Sequence, residues 1–307
     1  MPMNDRLQWG RQGRDWPNRE ASRFLRAGKL EWHVQVMGHG PALLLIHGTG
    51  ASTHSWRALA PLLAQHFTVV APDLPGHGFT EQPGADGLSL PGMARALSEL
   101  LQVLDVAPQL AIGHSAGAAI AIRMVLDRQI APQGIVSLNG ALRPFTGLAR
   151  HVFSPLAKLL VSLPFVPKVF AEAASHGRSV ARQIGKTGST LDREGLDLYS
   201  RLLSSPTHVS STLGMMANWD LDTFSRDLPR LTLPLLLITG SRDLTVPPEQ
   251  VFEIRNLVPH AKIETLRGLG HLAHEEQPSK VAEMILSFYR AIDVAGKSGA
   301  AASEEKV

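Results

Sequence analysis

The sequence predicts an α/β architecture: a mostly parallel sheet with helices on both faces, and a helical insertion. Three observations carry this. Short apolar runs at Ala42–Ile46, Phe67–Ala71, Leu110–Ile112, Gly134–Leu138 and Leu233–Ile238 fit strands buried on both faces. Helical patterns alternate with them, as parallel strand connections require. Between Leu142 and Leu231 that rhythm stops, and helix-like patterns interrupted by Pro155, Pro164, Pro167 and Pro206 take over. The expected organisation is a basic N-terminal arm at 1–29, a core at 30–141 and 232–292, a helical cap or lid at 142–231, and a disordered tail at 293–307. The insertion is expected over the sheet's C-terminal edge, where ligands bind in such folds.

Element by element, residues 1–29 read as irregular, with Arg6, Arg11, Arg14, Arg19, Arg23, Arg26 and Lys29 interleaved with Trp9 and Trp16. Packing over the domain surface suits such an arm. Contact with a partner or an anionic membrane face is the alternative. Glu31 to Gly38 alternates as a first strand, and Ser52 to Gln65 reads as a helix. Ser89 can cap a helix whose face carries Met93, Leu97, Leu100, Leu101 and Leu104. A helix follows Ser115 as far as about Asp127. Pro248 to Leu257 is a short helix, Ala261 to Leu266 a strand, and Val281, Met284, Ile285 and Phe288 stripe the last helix.

Composition narrows the function. The chain has 307 residues, 30 basic and 27 acidic side chains and a net charge of +3, too even for a dedicated nucleic-acid binder. There is no cysteine, so neither thiol catalysis nor a cysteine metal site is available. Met1 to Arg26 carries charges throughout and lacks the apolar stretch of a signal peptide. No run reaches the roughly 18 apolar residues of a spanning helix. The expected setting is cytoplasmic, with peripheral membrane contact left open.

The chemistry centres on Gly113-His114-Ser115-Ala116-Gly117, an apolar strand running through a sharp turn into a helix. Such a turn strains the serine backbone and lifts its hydroxyl clear of the sheet, and Gly113 and Gly117 leave room for it. A serine needs a base to remove its proton, and the base needs an orienting carboxylate. Asp243 and His271 each follow a predicted strand, and the order Ser115, Asp243, His271 suits this architecture. The oxyanion donors are expected to be the amides of Ala116 and Thr49. Gly48 and Gly50 would let the second loop approach closely. Losing such a donor costs about 3 to 4 kcal/mol of barrier. His274 is the rival base, while Asp220, Asp222 and Asp227 are poorly placed as orienters because none follows a strong strand. Asn139 cannot replace a carboxylate. His47, His77 and His114 are expected to bond loop backbone. The spacing of His271, His274, Glu275 and Glu276 matches no common zinc pattern, and Gly48 and Gly50 lack the ending of a phosphate loop, so no metal and no cofactor are expected.

His47-Gly48-Thr49-Gly50, Asp73 to Gly78, Gly113 to Gly117, Gly240 to Asp243 and Gly270-His271 together resemble the α/β-hydrolase superfamily, which implies a mostly parallel sheet of the eight-stranded type with a helical lid. In that superfamily an aspartate at the elbow attacks halides or epoxides. Ser115 instead implies an ester, thioester, amide or activated C–C bond. Trp16 to Phe24 (WPNREASRF), His47 to Trp56, Asp73 to Thr80 and Ser137 to Ala141 further resemble the BchO group, α/β hydrolases encoded with bacteriochlorophyll biosynthesis genes and classed as magnesium-chelatase accessory subunits. That resemblance implies a small apolar ester or tetrapyrrole substrate and magnesium-chelatase components as partners. It also leaves open a non-catalytic porphyrin-binding role, and a peptidase, lactonase or C–C hydrolase on the same scaffold. The apolar residues between Val152 and Phe170 suit a lid, a macrocycle or acyl slot, or an interfacial contact. His151, His176 and His208 are either tetrapyrrole-metal ligands or plain lid residues.

Overall fold

The computed structural model describes residues 6–144 and 177–304. Eight strands form one sheet: β1 (Ser22–Ala27), β2 (Leu30–Met37), β3 (Ala42–Ile46), β4 (Thr68–Pro72), β5 (Leu110–His114), β6 (Gly134–Leu138), β7 (Leu235–Gly240) and β8 (Lys262–Leu266). Their order is β1-β2-β4-β3-β5-β6-β7-β8. β1 and β2 run antiparallel to their neighbours, and β3 to β8 are parallel.

The continuous apolar runs become central strands because both faces are covered. Successive side chains point to opposite sides. Leu44, Ile46, Val70, Ala111 and Ile135 meet α3 (Leu90–Val103) and α4 (Ala116–Leu126) on one side. Leu43, Leu45, Val69, Ile112 and Val136 meet α2 (Leu59–Leu63) and α11 (Pro278–Glu304) on the other. Ser89 caps α3 by accepting from the Gly92 amide at 3.2 Å. Further described helices are α1 (Trp9–Gln12), α9 (Gln250–Leu257) and α10 (Ala273–Glu276). α5 (Gly177–Gly185), α6 (Arg193–Leu203), α7 (Pro206–Ala217) and α8 (Leu221–Asp227) lie between β6 and β7. Contacts from α7 and the α5–α6 connection reach the loops that leave β3, β4, β7 and β8.

Three features differ from the sequence expectation. The arm is not irregular throughout: residues 22–27 form edge strand β1, hairpinned to β2 from Ser22↔Gln35 to Ala27↔Leu30. Its exposed positions mix Arg23 and Arg26 with Phe24, so it carries no alternating apolar signature. Trp16 and Leu7 are buried with Phe79, Leu198 and Leu202. The expected helix at 52–65 splits into a 3₁₀ turn at Thr53–Trp56 and α2, and the amide that opens the turn, Thr53, donates to Asp73 at 2.7 Å. The 293–307 tail is not irregular up to Glu304, since α11 continues to that residue. Its alanines, the strongest helix formers, offset Gly296 and Gly299. The apolar segment Val152–Phe170, with His151 and His176, lies outside the described residues. Among the described residues no helix is long and apolar enough to cross a membrane.

Candidate active site

The sharp turn after β5 is present. Ser115 has φ 52° and ψ −117°, a conformation that L-residues avoid and that must be held by its surroundings. Its amide donates to Leu138 O at 3.0 Å, tying the turn to β6. A Cβ at Gly117 would strike the Ile46 and His47 carbonyls, and one at Gly113 would strike Gly117 itself. Glycine is therefore required for α4 to leave the strand so abruptly. Ala116 opens α4, so its amide is one of the donors that a helix leaves without an internal acceptor.

Across the sheet edge, the loops after β7 and β8 bring Asp243 to His271. The His271 Nδ1–H donates to Asp243 Oδ2 at 2.8 Å. Asn139 Nδ2 donates to the same oxygen at 2.8 Å, and the amides of Thr245 and Val246 donate to Oδ1 at 2.8 and 2.9 Å. Burial works against the charge on Asp243. The bond to His271, the Val246 amide and Asn139 outweigh it, and the carboxyl is held below its ordinary range. The carboxylate thus stays ionised and orients the imidazole through Nδ1, and Nε2 has no hydrogen bond among the described residues.

The loop bearing His271 meets His114, the residue before Ser115. The His114 ring lies 4.8 Å from that of His271, and its Nε2–H donates to His271 O at 3.0 Å. A Cβ on Gly48 would sit 3.0 Å from Ser115 Cβ and 2.8 Å from His114 Nδ1, so the loop after β3 closes against the serine. No hydrogen bond joins the Ser115 hydroxyl to the His271 ring in this structure. Contacts of this kind are commonly long before substrate binds.

The other histidines sort by their partners. His47 Nδ1–H donates to Gly48 O at 2.8 Å, and its Nε2 accepts from the Leu74 amide at 2.8 Å. Burial keeps it neutral. It therefore holds the Gly48–Gly50 loop against the loop after β4. His77 bonds Pro75 O at 3.1 Å. His208 accepts from the Gly78 amide and donates to Gly50 O, both at 3.1 Å, and burial lowers its pKa to about 4. It braces the same loop from α7. Burial, reinforced by His271 alongside, lowers His114 to about 3. His274 meets no carboxylate. Its ring packs on Trp56 and His114, and burial drives its pKa well below the usual value.

Glu275 and Glu276 bond partners other than the His271 ring. Glu275 bonds Tyr199 at 2.8 Å and pairs with Arg57, while Glu276 accepts from the Gly270 and Thr190 amides at 3.0 and 3.2 Å. Among the described residues no three His, Asp or Glu side chains gather as a metal site. Asp220 caps α8 by accepting from the Thr223 amide at 3.0 Å, and Asp227 pairs with Arg123 at 2.7 Å, so both serve local structure.

Two contributors were not foreseen. Asn139, at φ 47°, bonds Asp243 and also Gly270 O at 3.3 Å. An asparagine directly after a strand was the available signal, since asparagine tolerates positive φ. The segment Thr187–Thr190 also touches the Asp243 and His271 loops, largely through backbone atoms that leave no mark in the sequence.

A family model described as alpha/beta hydrolase fold matches residues 41–278. The chain belongs to the α/β hydrolase fold family. The magnesium-chelatase 30 kDa subunit of Rhodobacter capsulatus is 38% identical over 276 residues, covering 89% of this chain and 96% of that relative. A pimeloyl-[acyl-carrier protein] methyl ester esterase of Xanthomonas oryzae pv. oryzae is 27% identical over 271 residues, covering 83% and 98%. Among solved structures, the epoxide hydrolase CorEH superposes with a TM-score of 0.74 at 22% identity, covering 88% of this chain and 99% of that one. At that identity the likeness speaks to the fold alone.

Proposed function

We propose that this α/β hydrolase is a serine hydrolase that cleaves an ester-type bond through an acyl-enzyme, with Ser115, His271 and Asp243 as nucleophile, base and orienting acid. The observation that carries the reading is the strained turn at Ser115, whose neighbour His114 bonds the backbone of His271 while the His271 Nδ1 is committed to a buried carboxylate. Ser115 Oγ attacks the carbonyl carbon as its proton passes to His271 Nε2. Ionised Asp243 stabilises the imidazolium that results. The oxyanion is held by the amides of Ala116 and Thr49. His271 then protonates the departing alcohol. A water repeats the sequence, giving its proton to His271 and releasing the acid and Ser115. Among the described residues, α7 and the α5–α6 connection reach the loops that carry these groups, and side chains from this cap region select the acyl group.

The likeness to a magnesium-chelatase subunit supports a substrate from magnesium-porphyrin chemistry, an apolar tetrapyrrole ester being the class that suits both findings. The test is hydrolysis of short p-nitrophenyl esters and of a porphyrin methyl ester. Wild type should turn both over, and Ser115→Ala should lose about 10⁴-fold or more in kcat. Equal rates in the two proteins would end the proposal.

The same relative favours a second reading, in which the chain assists a chelatase without catalysis and the triad is incidental. Complementation separates them. If Ser115→Ala restores pigment as fully as wild type does, the accessory role is the biological one.

A further inference from the structure

We propose that the short strap between α5 and α6, residues 187–190, is a positioning device for the acid and base, clamped from the other side by Glu276. The inference rests on the serine-hydrolase reading of Ser115, Asp243 and His271, and assigns positioning roles to Ser189 and Glu276.

Three successive amides around the candidate base are each held. The Gly270 amide donates to Glu276 Oε1 at 3.0 Å, the His271 amide to Thr187 O at 3.1 Å, and the Leu272 amide to Ser189 Oγ at 2.8 Å. The Thr187 carbonyl also accepts from the Leu244 amide at 3.2 Å, one residue past Asp243. A single peptide oxygen therefore spaces the acid loop from the base loop. Glu276 closes the clamp, because its Oε2 accepts from the strap's own Thr190 amide at 3.2 Å while Oε1 holds Gly270.

The packing leaves little slack. Gly188 sits at φ +80°, and a Cβ there would strike the Arg242 carbonyl. A Cβ on Gly270 would strike the Gly188–Ser189 peptide. The strap is thus wedged between the two loops with glycine against glycine. Ser189 is buried, so its hydroxyl is committed to this bond rather than to solvent. The remaining carbonyls of the base loop are held from the sheet side, Gly270 O by Asn139 and His271 O by His114. The imidazole of His271 is then set by backbone anchors on both sides. A displacement of about 1 Å in such a constellation costs up to about a hundredfold in rate. The cap would therefore do more than cover the pocket: it completes the acid–base geometry.

Ser189→Ala removes the acceptor for Leu272. Glu276→Gln leaves one acceptor oxygen for two amides, and approaches the clamp from the opposite side should Ser189→Ala fold poorly. With p-nitrophenyl acetate, each variant should lose about ten- to a hundredfold in kcat with KM within about twofold, and fluorophosphonate labelling should slow in parallel. The far-downfield proton resonance of the His271 Nδ1–H bonded to Asp243 should shift or broaden in both. Unchanged kcat and an unchanged resonance in an active background would overturn the positioning role and leave the hydrolase reading standing. If wild type neither hydrolyses esters nor labels, the hydrolase reading has failed on its own. The resonance then decides the clamp alone: a shift in the variants supports it, and no shift rejects it.

Discussion

Asp243 takes four hydrogen bonds on two oxygens, and these set what each neighbouring substitution should do. Asp243→Asn cannot accept the Nδ1 proton with the same charge, so the imidazole loses its preferred tautomer. Ester hydrolysis should fall by about 10⁴-fold, with the fold intact by circular dichroism. Asn139→Ala leaves the carboxylate its three other partners. A loss of about ten- to a hundredfold in kcat is expected, near the net value of one hydrogen bond to a charged group, about 1.5 to 3 kcal/mol. Steady-state kinetics of the two variants check both figures. The ranking Asp243 well above Asn139 matters more than either number.

At the scale of elements, the Ser115 turn depends on close packing of β3, β5 and α4. Gly117→Ala forces a methyl group onto the Ile46 and His47 carbonyls and should cost about 2 to 3 kcal/mol in urea denaturation, with lost activity even in the folded fraction. The arm is equally integral. Trp16 is buried against Phe79, and its Nε1–H donates to Thr53 Oγ1 at 3.0 Å, at the loop that follows the Thr49 amide. Trp16→Ala should lose about 3 to 5 kcal/mol by the same measurement. The central strands and the Ser115 turn were legible because apolar runs and glycine spacing are direct consequences of burial and close approach. Strand β1 was not. An edge strand whose exposed residues are Arg23, Phe24 and Arg26 shows no alternating hydrophobic pattern, and its pairing is fixed by the hairpin at Gly28 and Lys29. The Thr187–Thr190 strap was hidden for a related reason, since most of its contacts are made by peptide groups that every residue carries. His271 and His274 were separable in sequence by the glycine-rich exit before His271, and the structure gives that exit a physical role: it lets the strap and Asn139 reach the base loop.

Across the whole molecule, one buried carboxylate joins four segments. Asp73 bonds His33 on β2 at 2.7 Å, the Thr53 amide after β3 at 2.7 Å and the Phe79 amide after β4 at 2.9 Å. His33 Nε2 continues to Ser22 of β1 at 3.0 Å. Burial alone would raise the Asp73 pKa, but His33 and the amides overcome it and hold the carboxyl well below the usual carboxylate range. A group lowered in the folded state adds stability above its unfolded value of about 3.9, and that stability drains away as pH falls through the folded value. Chemical denaturation should therefore show a decline below about pH 4. Asp73→Asn should lose about 3 to 5 kcal/mol at neutral pH and show a flatter acid limb. Because these segments include the loops bearing Thr49 and the arm, the same variant should also weaken ester hydrolysis. Activity and anchorage of the arm are then one property of the sheet edge.

The claim on which the account turns is that Ser115 is an activated nucleophile. Treating the intact protein with a fluorophosphonate and locating the adduct by peptide mass spectrometry tests it most directly. The account predicts one adduct per chain, on the peptide containing Ser115, and none in Ser115→Ala. A folded wild-type protein that stays unmodified, or a Ser115→Ala protein that labels equally well, would contradict it.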